Sequence, residues 1–324
     1  MKKKILFIVN PISGAAKHHA IETLIDKTLN KAIFDYELAY TNAPKHAIEL
    51  SRQGVQESFE TIVAVGGDGS VNEVGRSLIG TNSTLAILPC GSGNGTARHL
   101  GIPRNLVKAI DVINQNNTTT IDTFRVNNEI AVNVAGIGFA AHISHEFSKL
   151  KNRGFRNYIK LAVRDSLNYR SQFCEIEIKN PSPDVSIGTS PGHSPQGEGG
   201  APTLQKLKLK AFIIDIANGT QWGNNAALAP QAKSNDGVLD LCVVRTFPLI
   251  NFPVMAVRLF TNSFHRSKYV NTIQMQETII RQENTYAHID GEPIITGNEL
   301  RVKINPLSLK VIVPSFDFAQ GDPV

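Results

Sequence analysis

Residues 61–72 read Thr-Ile-Val-Ala-Val-Gly-Gly-Asp-Gly-Ser-Val-Asn, a short apolar run that passes through a Gly-Gly-Asp-Gly turn into a helical pattern. A strand that turns so tightly into a helix belongs to a strand–helix–strand unit. Such units build parallel sheets whose ligands sit at the carboxyl ends of the strands. Glycines let the backbone take positive φ and approach a phosphate closely. The helix that follows turns free N–H groups and its positive dipole end toward an anion. Asp68 adds a carboxylate able to organise Mg²⁺ or ordered water beside phosphates. A plain strand-to-helix connection needs two glycines at most, so three glycines with an acid among them favour a nucleotide site.

The first 120 residues repeat this alternation. Strands are expected at Ile5–Val9, Tyr36–Tyr40, Thr61–Val65 and Thr84–Leu88, and helices at Lys17–Lys31, Pro44–Gln53 and Val71–Ile79. The start, Met1-Lys2-Lys3-Lys4 followed by Ile5–Val9, mimics a signal peptide, but the apolar run stops after five residues at Asn10-Pro11 and reads as a first strand. No stretch approaches the ~18 apolar residues of a membrane span. Cys90, Cys174 and Cys242 share no close spacing, which argues against a disulfide framework or a zinc site and for a reducing, cytoplasmic setting. A chain of 324 residues, 41% hydrophobic and 19% charged, has material for two domain cores. Its formal charge of +5 permits an anionic partner without demanding one.

After about Asp122 the texture changes. Strand-like runs dominate, at Glu129–Val134, Phe173–Lys179, Leu204–Asn218, Val238–Val244, Ile273–Arg281 and Tyr286–Ile289, with long helical stretches only at about Ala140–Tyr169 and Pro248–Phe264. The expected architecture is therefore an α/β domain with a parallel sheet over residues 1–122, rejoined by the strand-like segment at about 300–324, and a mainly antiparallel, β-rich second domain over 123–299. Residues 180–205, rich in Pro, Gly and Ser, read as a disordered loop between two paired strands.

Two further strand ends resemble the Gly-Gly-Asp-Gly turn. The first strand ends in Asn10-Pro11-Ile12-Ser13-Gly14 and the fourth in Cys90-Gly91-Ser92-Gly93-Asn94-Gly95-Thr96, each before a helical start. Three such loops on neighbouring strands converge on one crevice. A Walker A loop, G-x-x-x-x-G-K-[ST], is absent. Gly136-Ile137-Gly138-Phe139-Ala140-Ala141 fits the dinucleotide fingerprint, but lies outside the α/β half with no second strand and terminal acid following it.

Taken in order, Asn-Pro-x-Ser-Gly at 10–14, Gly-Gly-Asp-Gly-Ser-x-Asn-Glu at 66–73, Gly-Ser-Gly-Asn at 91–94, Asn133-x-Ala-Gly-x-Gly-Phe139 and Asp290-Gly291-Glu292 resemble the diacylglycerol kinase catalytic-domain family, which includes bacterial lipid kinases and the sphingosine and ceramide kinases. The resemblance spans nearly the whole chain. It implies an NAD-kinase/phosphofructokinase-like α/β domain joined to a β-sandwich-like domain, with ATP bound between them and its γ-phosphoryl group passed to a lipid hydroxyl. By position, Asn10, Pro11, Ile12, Ser13, Gly14, Thr41, Gly66, Gly67, Asp68, Gly69, Ser70, Val71, Asn72 and Ser92 match the family's ATP contacts. Asp68 and Asp122 match acids of its Mg²⁺–water network. Lys233, Asp236 and Val238 match a structural Mg²⁺ site, Lys233 and Val238 through backbone carbonyls.

Asp290-Gly291-Glu292 matches the family's catalytic turn. Two carboxylates separated by a glycine at a strand end can face one small space, one accepting a hydroxyl proton while the other holds metal or water. Glu292 is the expected base and Asp290 the alternative. An ordinary Asp-Gly hairpin turn would account for the same residues. The family's bacterial diacylglycerol kinases often carry Asn-Asp where this chain has Asn94-Gly95; Gly-Ser-Gly-Asn looks more like the sphingosine and ceramide kinase branch, and shifts the expected acceptor from diacylglycerol toward a sphingoid base or another long-chain amino alcohol.

The expected partners are a lipid substrate and a transiently docked anionic membrane surface, with a homodimer left open and no nucleic acid. Lys149, Lys151, Arg153, Arg156, Lys160, Arg164 and Arg170 form a basic run suited either to an anionic leaflet or to plain solvation. Lys206-Leu207-Lys208-Leu209-Lys210 alternates with period two, as a half-exposed strand does. His142 and His145 read as helix surface or pocket lining. The rival readings are an NAD kinase-like enzyme and a non-catalytic lipid-binding regulator on the same fold.

Overall fold

The structure, a computed structural model, describes residues 2–13, 18–150, 154–179 and 204–315. The chain divides into two compact units, residues 1–121 with 308–324, and residues 122–307. The expectations placed on Gly14, Lys151, Arg153 and residues 180–203 lie outside the described residues. Leu204 and Gln205 are strand, so the expected loop yields its last two residues to the sheet.

The first unit runs β1 (Lys3–Val9), α1 (His18–Thr28), β2 (Phe34–Tyr40), α2 (His46–Gln56), β3 (Thr61–Gly66), α3 (Asp68–Leu78), β4 (Thr84–Pro89), α4 (Gly95–His99) and α5 (Leu106–Gln115). All pairings in the order β2-β1-β3-β4 are parallel, and Val311 adds a parallel bridge beside Leu85. Every residue of β3 and β4 is buried, as a sheet covered on both faces requires. Helix α3 begins at Asp68, three residues before the sequence reading. Gly67 is its N-cap, so Asp68 and Gly69 belong to the first turn, where a carboxylate is favoured by the helix dipole.

The second unit contains β5 (Thr118–Val126), β6 (Glu129–Ala131), β7 (Val134–Gly138), α6 (Phe139–Ser148), α7 (Phe155–Ser166), β8 (Gln172–Lys179), β9 (Leu204–Ala217), β10 (Leu239–Arg245), α8 (Phe252–Phe260), β11 (Val270–Met275), β12 (Glu277–Gln282), β13 (Tyr286–Ile289), β14 (Glu292–Ile295) and β15 (Glu299–Ile312). The division between units falls inside β5 and inside β15. Pairing is antiparallel along β14-β13-β7-β9-β8-β12-β15, and β9 also pairs with β10. The inner faces close on one core that includes Phe124, Ile137, Ile176, Ile214, Leu241, Ile273 and Leu300. A second cluster forms on the other face, where Phe139, Ile143, Leu161 and Met255 from α6, α7 and α8 pack on Phe212, Ile213 and Val244.

Four sequence expectations are corrected here. The helical stretch 140–169 is two helices, broken before Gly154, and 248–264 is α8 flanked by short 3₁₀ turns at Leu249–Asn251 and Phe264–Arg266. The run Ile273–Arg281 is divided between β11 and β12, which pair with different neighbours. The run Glu129–Val134 stops at Ala131 because the next backbone N–H groups turn to a side chain, described below. Lys206 and Lys208 do alternate out of β9, and reach Glu177 and Glu175 across β8. Among the described residues no helix is long and apolar enough to cross a membrane.

Candidate active site

In the first unit the three glycine-bearing loops meet at the carboxyl ends of β1, β3 and β4. Gly66 O accepts from the N–H groups of Cys90 and Gly91, and Thr41 N donates to Val9 O at the end of β1. The loops are packed backbone to backbone. A Cβ on Gly91 would lie 2.5 Å from the Cα of Gly67, and one on Gly66 would lie 2.3 Å from Ser70 Oγ and 3.3 Å from Ser13 Oγ. Side chains at these positions would force the turns apart. Asn10 Nδ2 donates to Ser70 Oγ at 3.3 Å, while Asn10 Oδ1 accepts from Ile12 N, so the first loop folds back toward the start of α3. Ile12 and Ser92 are exposed at the rim. Val71 is buried in the core and offers only its backbone.

Helix α3 has Gly67 as its N-cap, a residue with no side chain to cap it. Its first-turn N–H groups lack acceptors inside the helix, and the hydroxyls of Ser13 and Ser70 and the amide of Asn10 stand beside them. Backbone donors at a glycine N-cap beside these polar side chains suit the oxygens of a phosphate, so the residues fit a nucleotide. Burial pushes the neighbouring Cys90 thiol up to about 11, which removes it as a nucleophile at neutral pH.

Asp68 faces the next turn. Its two carboxylate oxygens accept from Gly95 N and Thr96 N, both at 3.0 Å, and so fasten the start of α4. Asn94 closes the same loop on itself: its Oδ1 accepts from Gly91 N and its Nδ2 donates to Gly91 O. Gly95 meets Asp68 through its backbone N–H.

In the second unit, Asp290 and Gly291 form the two-residue turn between β13 and β14, with φ of 48° and 85°. Positive φ at both positions is the hairpin geometry that Asp-Gly favours. The turn is nonetheless far more constrained than a surface hairpin. The buried Asp290 carboxylate accepts from Val132 N, Asn133 N and Val134 N, each at 2.9 Å. These N–H groups follow the end of β6 and reach the first residue of β7. Ser144 Oγ, from α6, donates to Gly291 O at 2.6 Å. Asp290 is thus an anchor, and Glu292 is the exposed carboxylate that the anchored turn presents.

Asp215 lies behind the same hairpin. Its Oδ1 is 3.1 Å from His288 Nε2, and its Oδ2 accepts from Trp222 Nε1 at 2.8 Å. His288 pairs with Gly136 across β13 and β7, and Gly136 pairs with Asp215 across β7 and β9. A Cβ on Gly136 would lie 1.6 Å from Asp215 Oδ1, and one on Gly138 would meet Phe212 O at 2.5 Å. The fingerprint-like glycines therefore serve side-chain and backbone packing within the sheet.

The metal expectations fall on the turn around Asp236. Asp122, fully buried, accepts from Gly237 N and Leu307 N. Asp236 is exposed, and its carboxyl is raised by partial burial and by the charge of Asp122. Asp240 is raised to about 6, by burial first and then by Asp236. The exposed carboxylate of Asp236 suits a cation, while both oxygens of Asp122 already accept backbone N–H groups and hold the turn together. Lys233 is exposed, and Val238 N donates to Asp236 Oδ1. Among the described residues no group of three or more His, Cys, Asp or Glu side chains is arranged to hold a metal. His142 and His145 diverge: His142 Nε2 lies 2.9 Å from Asp165 Oδ2, while His145 packs on the ring of Tyr286.

Ser144, Asp215 and His288 escaped the sequence reading. Asp215 was detectable as a lone acid inside the apolar run Phe212–Ala217, since a charge in a buried strand needs a partner.

Two families match the chain: the diacylglycerol kinase catalytic domain over residues 4–126, and the YegS C-terminal NAD kinase beta sandwich-like domain over residues 133–313. A Salmonella arizonae protein named "Probable lipid kinase YegS" is 30% identical over 280 residues, covering 84% of this chain and 83% of its own. A Bacillus subtilis protein named "Diacylglycerol kinase" is 27% identical over 310 residues, covering 94% and 86%. A crystal structure of a diacylglycerol kinase from Bacillus anthracis superposes with a TM-score of 0.69 at 20% identity, covering 97% of each chain, and shares the fold. With its parallel α/β unit and its antiparallel β-sandwich-like unit in that order, this chain belongs to the family that joins a diacylglycerol kinase catalytic domain to a YegS-type C-terminal domain.

Proposed function

We propose that this protein is an ATP-dependent lipid kinase that transfers the γ-phosphoryl group to the hydroxyl of a long-chain lipid. The observation that carries the reading is the start of α3 at a glycine N-cap, set among turns packed at Gly66, Gly67 and Gly91 with the hydroxyls of Ser13 and Ser70 beside it. This is a site for phosphate oxygens. Family membership and the names of the relatives support a lipid as the acceptor.

The chain's own residues divide the work. The turns at 10–13, 66–70 and 91–94 orient the phosphates. Asp68 holds the third turn in place and keeps a charged group near them. Glu292 accepts the proton of the attacking hydroxyl, and Asp290 with Ser144 fixes the turn that carries it. Mg²⁺, when bound, would neutralise phosphate charge as it develops; Asp68 and Asp122 would organise it or its waters, and the turn at Lys233, Asp236 and Val238 would take a structural ion. The three buried, unbridged cysteines support a cytoplasmic enzyme that meets its lipid at a membrane surface.

Diacylglycerol is the first acceptor to test. A sphingoid base is the second, since Gly-Ser-Gly-Asn at 91–94 resembles the sphingosine and ceramide kinase branch. The experiment is phosphorylation of a mixed lipid pool with labelled ATP and Mg²⁺, products being resolved by mass. Phosphate appearing on a lipid, and not on NAD, is the expected result. Labelled NADP, or no labelled product with any lipid, overturns the reading.

A further inference from the structure

Helix α8 is apolar on both sides. Met255 faces inward onto the aromatic cluster over the β-sandwich, with Phe252 and Leu259 packed against it. The opposite side carries Val254 and Val257, 54% and 60% exposed, and continues the line of Ile250, 83% exposed, from the 3₁₀ turn before it. Residues 250, 254 and 257 recur at helical spacing, so they form one stripe. A short helix on the outside of a water-soluble fold would ordinarily bear polar residues there.

The charge around this stripe is of one sign. From Leu241 to Gln276 the chain contains no Asp or Glu, while Arg245, Arg258, Arg266 and Lys268 all fall within it. Helix α7 packs on the same cluster and also exposes Val163 and Leu167 beside Lys160, while its Arg164 is paired with Asp165. An exposed apolar stripe in a segment whose only charged residues are cationic is the composition of an interfacial helix that lies in the headgroup layer of an anionic bilayer. A protein partner would be expected to leave some acidic residues at the rim, and none is present in this segment.

We infer that the outer face of α8 and its preceding 3₁₀ turn is the surface by which this protein docks on a bilayer containing anionic lipids. The inference deepens the lipid-kinase reading and rests on it for the reason a bilayer is visited at all. It moves the main contact from the basic run at 149–170 to α8, where exposed apolar area and positive charge coincide.

The test is sedimentation with phosphatidylcholine vesicles, with and without phosphatidylglycerol, for the wild type, Ile250→Asp/Val257→Asp, and Arg266→Gln/Lys268→Gln. Thermal melting of each variant establishes that it is folded. The wild type is expected to bind the anionic vesicles and not the neutral ones. The double aspartate variant should bind at least tenfold more weakly, and the double glutamine variant should lose most of the dependence on phosphatidylglycerol. Activity on lipid dispersed in detergent micelles should be unchanged in the aspartate variant, while activity on lipid in vesicles falls. Wild-type-like vesicle binding or vesicle activity by that variant overturns the proposal. So does equal wild-type binding to neutral vesicles, or a wild-type dimer that the variant splits without altering vesicle binding, which would make the face an interface between copies. Wild-type binding through α8 with no lipid phosphorylated in either dispersion would instead remove the kinase reading and leave the docking surface standing.

Discussion

Asp215 and His288 meet at 3.1 Å over a glycine, Gly136, that lies between them on the intervening strand. Both side chains are almost wholly buried, and Trp222 completes the carboxylate's hydrogen bonds. Gly136→Ala places a methyl group 1.6 Å from Asp215 Oδ1 and 2.5 Å from Ile214 O. Overpacking and loss of a buried polar pair together should cost on the order of 4 kcal/mol in urea denaturation. Gly154→Ala meets nothing within 4 Å and should cost below about 1 kcal/mol. Equal midpoints for the two variants would contradict the close approach.

Glu292 and Asp290 should fail in different ways. Glu292 is exposed, so Glu292→Gln is expected to lower kcat by about 10²–10⁴ with little change in melting temperature. Asp290→Asn puts an amide among three N–H donors, and should destabilise the fold by roughly 3 kcal/mol as well as abolish activity. Calorimetry beside kinetics separates the two. A stable, inactive Asp290→Asn would make Asp290 the base.

Asp68→Ala frees the N–H groups of Gly95 and Thr96 and removes the charge near the start of α3. The expected outcome is a stability loss of about 1–2 kcal/mol and a fall in kcat/KM for ATP of about 100-fold. Unchanged ATP kinetics in a folded variant would confine Asp68 to a structural role.

Asp240 makes stability depend on pH in an identifiable direction. Burial and the charge of Asp236 raise its carboxyl from 3.8 to about 6 in the folded state. Between those values the folded chain binds the extra proton, so stability falls as pH rises from about 4 to about 6, by roughly 3 kcal/mol in all. Asp240→Asn should remove this slope. Urea unfolding at pH 4.5 and 7.5 measures it. A variant that keeps the wild-type difference between the two pH values would show that Asp240 is not its source.

Much of the first unit was legible in the sequence, because its signals are local. Apolar runs ended by turn residues placed β1, β3 and β4 to within a residue or two, and the glycines after β3 and β4 marked loops that meet. In the second unit, local signals ran on where the structure stops. Glu129–Val134 reads as one strand, and nothing within it announces that Val132, Asn133 and Val134 give their N–H groups to a carboxylate more than 150 residues away.

The sequence by itself determined the two architectures, the turns after β1, β3 and β4 and the Asp-Gly hairpin, because periodicity and backbone freedom are properties of neighbouring residues. Only the tertiary structure decided that Asp290 anchors while Glu292 is presented, that Gly136 makes room for a buried carboxylate, and that α8 turns an apolar face outward. Each of these depends on which distant group satisfies a buried hydrogen bond or covers an apolar surface. That choice is made when strands and helices pack, between residues the sequence keeps far apart.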